Sequence, residues 1–361
     1  MSLFGNKKIK AFGLDISDSS IKVAELSLHK NHLTSAVFAD VPLLDKTITN
    51  HMIVSEQRLA GNIMKALTTA KNIKSKFVVC SIPEAKSFVR VIHLPKIPLA
   101  EIEAAIPYEL EQDIPIPIDQ VYMDWFILRE LPEKIELLVT ASSKDYIDSL
   151  IATLKSIKLR PVALEIGSQA TARALIGPEE ATKSVLIVDI GAQQTSFIIV
   201  DKGLPLYTSS IPIAGNSFTE SIARNMGIPK GEAEKLKSSH GLTSQTEGEE
   251  LVRSAVLPIL DNIIDEIKNV IRFFEDHSET KNVIDTIICC GGSAQVPGLI
   301  DYISTRINLG SGKTNLRVGQ GNPWSKMISA QNHHLPLAPE KALGYTTVIG
   351  LALRGNDYET E

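Results

Sequence analysis

Apolar residues over 255–277 recur at spacings of three and four: Val256, Leu260, Ile263, Ile267, Val270 or Ile271, and Phe274. Asp261, Asp265, Glu266, Lys268 and Glu275 fall on the other faces, so the pattern predicts an amphipathic helix over Ala255–His277. A second helix is predicted over Ser143–Ile157. Short β-branched runs predict strands at Ile9–Leu14, Lys22–Leu28, Phe77–Ser81, Ile135–Ala141, Val185–Asp189, Ser196–Val200 and Thr286–Cys290. Strands alternating with helices imply α/β layering.

Two of the strand pairs share one design. A strand ends in Asp15, a polar turn follows, and a second strand returns from Ile21. About half a chain later a strand ends in Asp189, a Gly-containing turn follows, and a second strand returns from Thr195. The repeat predicts two related halves facing each other across a cleft. The stretch from Pro83 to Leu131 has a different texture, with prolines at 83, 95, 98, 107, 115 and 117, and Pro132 closing it. It contains an acidic helical pattern at Ala100–Gln112, which Pro107 is expected to kink or split. We read this region as a small inserted α+β module that ends with the strand at Ile135–Ala141 and the helix after it. The expected divisions are 1–82, 83–161, a connecting 162–182, 183–339 with a helical part near 226–284, and a closing helix and tail over 340–361.

Composition narrows the function classes. A chain of 361 residues has room for two or three domains with sizeable cores. Hydrophobic residues make up 43% and charged residues 22%, ordinary for a globular chain. The net charge of -5 provides no basic surplus for nucleic acid. No apolar run reaches the ~18–20 residues of a membrane span, and the first residues lack the apolar stretch of a secretory signal. Three cysteines without CxxC spacing suggest a reduced, cytosolic setting.

Four constellations carry candidate chemistry. The first turn offers Asp15, Ser17, Ser19, Ser20 and Lys22. Backbone N–H groups and hydroxyls in such a turn can hold a phosphate, and a strand-end Asp can hold Mg²⁺ through water. Alone, it reads as a plain hairpin with polar turn residues. The second turn offers Asp189, Gly191, Ala192, Gln193, Gln194 and Thr195, with Gly191 allowing close backbone approach. Paired turns can clamp a polyphosphate from two sides, which favours phosphate binding over two unrelated hairpins. In the third, a strand ending in Cys289-Cys290 runs into Gly291, Gly292 and Ser293, where a flat ring could lie on bare backbone. The alternative is an ordinary strand–turn–helix joint with small buried cysteines. The fourth, Glu234 and Lys237 at helical spacing, reads as a solvated charge pair. Beside a nucleotide, the same two residues could meet ribose and base. No GxxxxGK[ST] loop, GxSxG elbow or HExxH pair is present.

In this order the motifs resemble the actin-like ATPase superfamily, which includes actin, the Hsp70 ATPase domain, MreB and FtsA. The segments DISDSSIKVAEL (from Asp15), YELEQDIPIPIDQVYMDWFIL (from Tyr108), VDIGAQQTSFIIV (from Val188), GIPKGEAEKLKSSHG (from Gly227) and CCGGSAQVPGL (from Cys289) are together similar to the PilM family of type IV pilus assembly. That resemblance covers nearly the whole chain. It implies an actin-like fold, a duplicated ribonuclease H-like α/β arrangement with an inserted α+β subdomain. It further implies ATP and Mg²⁺ in the cleft, with both Asp residues near the metal, and Glu234 and Lys237 near the adenosine. The implied partner is the cytoplasmic N-terminal tail of PilN, held in a groove between the insertion and the main body, with pilus motor ATPases and homo-oligomers as further contacts. Membrane association would then be indirect. Family members commonly carry an acidic pair, Asp-x-Glu, after the insertion. Here Glu165 fits the first position, as a candidate catalytic residue, and Gly167 occupies the second. This departure predicts ATP binding with slow or absent hydrolysis. The competing readings are an FtsA-like filament protein and a small-molecule kinase of the same superfamily.

Overall fold

A computed structural model describes residues 10–29, 32–43, 47–111, 116–243, 246–277, 282–310, 316–327 and 335–356. Strands β1 (Phe12–Ile16), β2 (Ser20–His29) and β3 (His32–Pro42) form an antiparallel meander. A minimal hairpin of β4 (Ile48–Thr49) and β5 (Met52–Ile53) leads into α1 (Glu56–Ala70), and β6 (Phe77–Ile82) joins β1 in parallel. The chain then leaves this sheet. β7 (Ser87–Pro95), α2 (Leu99–Leu110), β8 (Val121–Glu130) and β9 (Lys134–Ser143) build a separate antiparallel sheet in the order β7-β9-β8. Helix α3 (Lys144–Ser156) and β10 (Arg160–Ile166) bring the chain back to the first sheet.

Helix α4 (Gly167–Leu175) leads to the second half. There β11 (Ser184–Ile190), β12 (Thr195–Asp201) and β13 (Leu204–Ile211) form another meander. Helices α5 (Gly215–Met226), α6 (Lys230–Ser239) and α7 (Glu247–His277) precede β14 (Thr286–Cys290), α8 (Leu299–Gly310) and β15 (Arg317–Gln320). The described chain ends in α9 (Pro339–Ala342) and α10 (Thr346–Asn356).

The two large sheets repeat one topology. The first runs β10-β6-β1-β2-β3 and the second β13-β12-β11-β14-β15, which is the same strand plan read from opposite ends. In each, a hairpin extends antiparallel on one side and parallel on the other. The central strand of the second sheet shows why: Val185, Leu186, Ile187 and Val188 are all fully buried, as a strand covered on both faces requires. This duplicated α/β plan is the actin-like fold.

Several predicted elements shift. Helix α7 starts at Glu247, eight residues before the expected start, because its buried stripe already includes Val252. Glu247, Glu249 and Glu250 in its first turn suit the positive end of the helix dipole. Pro107 lies inside α2, yet the helix continues to Leu110. One missing hydrogen bond is tolerated because Ile102, Ile106 and Leu110, spaced by four, stay buried against the three-stranded sheet. Residues 112–115 of the motif-rich stretch lie outside the described residues, as does the tail from 357. The closing helix expected from residue 340 is two pieces, α9 and α10, joined by a tight turn at Leu343–Tyr345. α10 packs directly on β1: a Cβ on Gly13 would lie 2.6 Å from the Val348 carbonyl oxygen and 2.8 Å from the Ala352 nitrogen. Among the described residues, no helix is long and apolar enough to cross a membrane.

Candidate functional site

The ends of β1 and β11 face one cleft of about 650 Å³, within the range of ligand pockets. Both aspartates occupy the penultimate position of their strands, where the register pairs Asp15 with Lys22 and Asp189 with Ser196. The cleft brings together Asp15, Ser17, Ser19, Ser20, Lys22, Asp189, Gly191, Ala192, Gln193, Gln194, Glu234, Lys237, Gly291, Gly292 and Ser293.

The first turn is closed by its own hydroxyls. Ser17 N–H donates to the Ser20 carbonyl at 3.0 Å, and Ser20 N–H donates to Ser17 Oγ at 3.1 Å. Lys22 Nζ donates to Ser20 Oγ at 3.2 Å, which holds the ammonium at the mouth of the turn. Asp15 accepts from Ser81 Oγ at 2.8 Å, and that oxygen in turn accepts from Ile16 N–H. Burial raises the Asp15 carboxyl above its usual range, and Lys22 and the Ser81 hydrogen bond partly offset the rise.

The second turn works through backbone. Gly191 N–H donates to the Gln194 carbonyl, and the Gly191 carbonyl accepts from both Gly215 N–H and Ser293 Oγ. This carbonyl therefore ties the turn to the start of α5 and to the Gly291–Gly292 bend. Gly291 has φ +87, and a Cβ there would run into the Asp189 carboxylate and the Ile190 carbonyl. The position thus demands glycine on two grounds. Burial and the negative charge of Asp15 push the Asp189 carboxyl up to about 6, with Lys22 opposing. Two carboxylates that disfavour each other's charge are a natural seat for a cation. Among the described residues, no group of three His, Cys, Asp or Glu surrounds them. A hydrated ion whose remaining ligands are water and ligand oxygens fits such a pair, as Mg²⁺ requires.

On the far wall, Lys237 is buried and fully engaged. Its Nζ donates to Glu234 Oε2 at 2.7 Å, to Thr219 Oγ1 at 3.0 Å and to the Gly215 carbonyl at 3.2 Å. Burial pushes the Glu234 carboxyl up, and hydrogen bonds from Lys237 and Thr219 more than reverse this, leaving it below the usual range. The pair is therefore a built polar corner and not the free surface pair its spacing alone suggests.

Two expected site residues lie elsewhere. Thr195 is fully buried and donates to the Ile213 carbonyl at 2.7 Å, because the alternation of β12 turns it away from the cleft. Glu165 lies on the opposite side of α4, in a second groove. There it is 3% exposed and accepts from the guanidinium groups of both Arg173 and Arg354. This corrects its assignment as a catalytic residue of the cleft. The residues that do reach the cleft from α4 are Gly167, Ser168 and Thr171, and Thr171 pairs with Thr347 of α10 at 3.0 Å. Glu84, Ser168 and Thr347 are cleft residues that motif spacing missed. Nothing in the local sequence of Ile82-Pro83-Glu84 signals a site, since only the juxtaposition of three separate elements creates it.

The second groove, of about 670 Å³, lies between the three-stranded sheet and the main body. Tyr122 to Phe126 of β8 line it consecutively. Side chains alternate faces along a strand, so five consecutive lining residues mean that the strand's edge borders the groove. β8 is an edge strand, paired only with β9. Arg173, Lys326, Arg354 and Glu165 form the polar part of the wall.

The profile of the family described as "Type IV pilus assembly protein PilM" matches residues 13–356. The chain belongs to the PilM family. A solved structure titled "PilM-PilN type IV pilus biogenesis complex" superposes with a TM-score of 0.82 at 25% identity, covering 97% of this chain and 99% of that one. MreB 5 of Spiroplasma citri bound to AMPPNP superposes with a TM-score of 0.55 at 14% identity, over 96% of this chain and 96% of that one, which shows the shared actin-like fold. Among curated proteins, the cell division protein FtsA of Borreliella burgdorferi is 28% identical over 164 residues, 44% of this chain and 38% of that protein. The chain spans from 38% to 65% of the length of the FtsA relatives from Borreliella burgdorferi and Escherichia coli.

Proposed function

We propose that this PilM-family protein is a nucleotide-dependent scaffold of a type IV pilus assembly machine, with Mg-ATP in the cleft and the cytoplasmic tail of a PilN-type membrane protein in the second groove. The arrangement that supports this best is the pairing of a polar two-turn cleft with a groove bordered by a free sheet edge. In the cleft, Asp15 and Asp189 would hold Mg²⁺ through water. The two turns and Lys22 would face the phosphates, Gly291, Gly292 and Ser293 would lie beside the nucleotide, and Glu234 with Lys237 would meet the ribose. The metal supplies charge neutralisation for the phosphates, and the chain supplies position. In the groove, an extended tail can add a strand to β8, with the exposed Tyr122 and Phe126 as apolar contacts. Such a partner would place the protein at the inner face of the membrane.

The reading is tested by calorimetric titration of a peptide carrying the N-terminal tail of the cognate PilN-type protein, with and without Mg-nucleotide. Micromolar or tighter binding is expected, and Asp124→Pro in the β8 edge is expected to abolish it. Equal binding to the wild type and this variant would remove the edge-strand reading. Failure of the wild-type protein to bind the peptide would remove the partner assignment. The similarity to FtsA keeps a filament-forming protein as the second reading, which sedimentation in the presence of Mg-ATP separates from a non-polymerising scaffold.

A further inference from the structure

Glu84 brings a further carboxyl into the cleft, from an element outside both hairpins. It opens the short turn Glu84–Lys86, where the chain leaves β6 for the three-stranded sheet. Its Oε1 accepts from Ser168 N–H at 2.6 Å, at the start of α4. That helix opens with Gly167, and a Cβ built there would sit 3.8 Å from the same Glu84 Oε1 and 3.7 Å from a Thr347 methyl. Both are ordinary van der Waals separations, so the start of α4 lies directly against the Glu84 carboxyl. Beside it, Ser168 is 2% exposed. A carboxyl and a buried hydroxyl thus converge at one point of the cleft wall, at the positive end of a nine-residue helix.

The electrostatics suit acid–base work. Burial pushes the Glu84 carboxyl up to about 7. Hydrogen bonds from Ser168 and Thr208 counter part of that rise, and the negative Asp189 adds to it. Asp189, on β11, is the charged group that acts on it among the described residues. A carboxyl that titrates near neutrality can take a proton in one step and release it to solvent in the next.

We propose that Glu84 is the general base for nucleoside triphosphate hydrolysis in this cleft. The step balances without another reactant. The water oxygen bonds to the terminal phosphorus, and the bond from that phosphorus to the bridging oxygen breaks. The bridging oxygen keeps the electron pair as part of the diphosphate, and the water proton passes to the Glu84 carboxylate. Ser168 Oγ orients the water beside it. The inference rests on the nucleotide reading of the cleft.

The test measures phosphate release from Mg-ATP and, separately, binding of the non-hydrolysable analogue AMPPNP, on the full chain. Glu84→Gln keeps the acceptor for Ser168 N–H and is expected to bind the analogue within about threefold of wild type while losing at least roughly tenfold in turnover, about 1.4 kcal/mol. Glu84→Ala combined with Gly167→Glu returns a carboxyl to the same space from α4 and is expected to recover part of the lost turnover. Without nucleotide, the thermal midpoint of wild type should fall as pH rises through 7, relative to Glu84→Gln. Undiminished turnover in Glu84→Gln overturns the proposal, and so does a wild-type protein that binds the analogue but releases no phosphate. A wild-type protein that fails to bind the analogue overturns the nucleotide reading itself, and the proposal with it.

Discussion

The two hairpins share a strand plan and divide the chemistry. The β1–β2 turn is stabilised by side chains: Ser17 Oγ closes it, Ser81 holds Asp15, and Lys22 is the cation at its mouth. The β11–β12 turn is stabilised by backbone, with the Gly191 carbonyl receiving both Gly215 N–H and Ser293 Oγ. Among the described residues, Asp189 has no side-chain donor like Ser81. One geometry thus occurs twice, held by different groups in its two copies. One carries charge and hydroxyls, and the other carries close-packed main chain that a ligand can approach. The strands behind the turns differ in the same way. Two residues before each aspartate stand Gly13, against the backbone of α10, and Ile187, buried in the second core.

Making the halves alike at that point should have the largest effect. Gly13→Ile would force a side chain into the α10 backbone and is expected to cost about 3 kcal/mol in urea unfolding. An unchanged midpoint would mean that α10 can lift off β1 without loss. Removing the carboxylates comes next. Asp15→Ala and Asp189→Ala should each weaken Mg-nucleotide binding by roughly 10- to 100-fold, about 1.4–2.7 kcal/mol, measured by calorimetry. Full affinity in both variants would separate the cleft from metal-nucleotide binding.

The pH dependence sharpens the contrast further. Asp189 has a raised value of about 6 in the folded protein, against 3.8 for an ordinary Asp, so the folded state holds its proton longer than the unfolded state does. The stability it contributes is complete below about 4 and is lost as pH rises through 6. Asp189→Asn should therefore stabilise the nucleotide-free protein at pH 7, by on the order of 2 kcal/mol, and flatten its melting profile between pH 4 and 7. The same variant should lose Mg-nucleotide affinity, a trade of function for stability. A melting profile identical to wild type would show that Asp189 titrates normally. The smallest effect is expected from Ser17→Ala, which removes the internal acceptor of the first turn and should cost about 1 kcal/mol. Its loss should appear mainly as faster amide exchange at Ser20, and unchanged exchange there would show that the turn does not need the hydroxyl.

Much of this division is legible in the order of residues. Strand ends at Asp15 and Asp189, the Gly-Gly bend after Cys290, and the stripe from Val256 to Phe274 follow from short-range periodicity and turn chemistry, which depend on neighbours a few residues apart. That locality explains why the duplicated α/β plan and most cleft residues could be read directly. The failures are all long-range. Glu165 and Gly167 are two residues apart, yet one faces a groove and two arginines and the other faces the cleft, because β10 ends and α4 begins between them. Thr195 reads as part of the second turn but is turned inward by the alternation of β12. Pro107 reads as a kink or a split, and the split does not occur, because the burial of Ile102, Ile106 and Leu110 carries α2 through it. Local sequence thus determined the two hairpins, their aspartates and the alternation of strands and helices, since each depends on contacts within a few residues. The tertiary structure alone decided which carboxyls share the cleft, because Glu84, Ser168 and Asp189 meet only where β6, α4 and β11 converge. Burial at that meeting point, which no single segment encodes, sets their proton affinities.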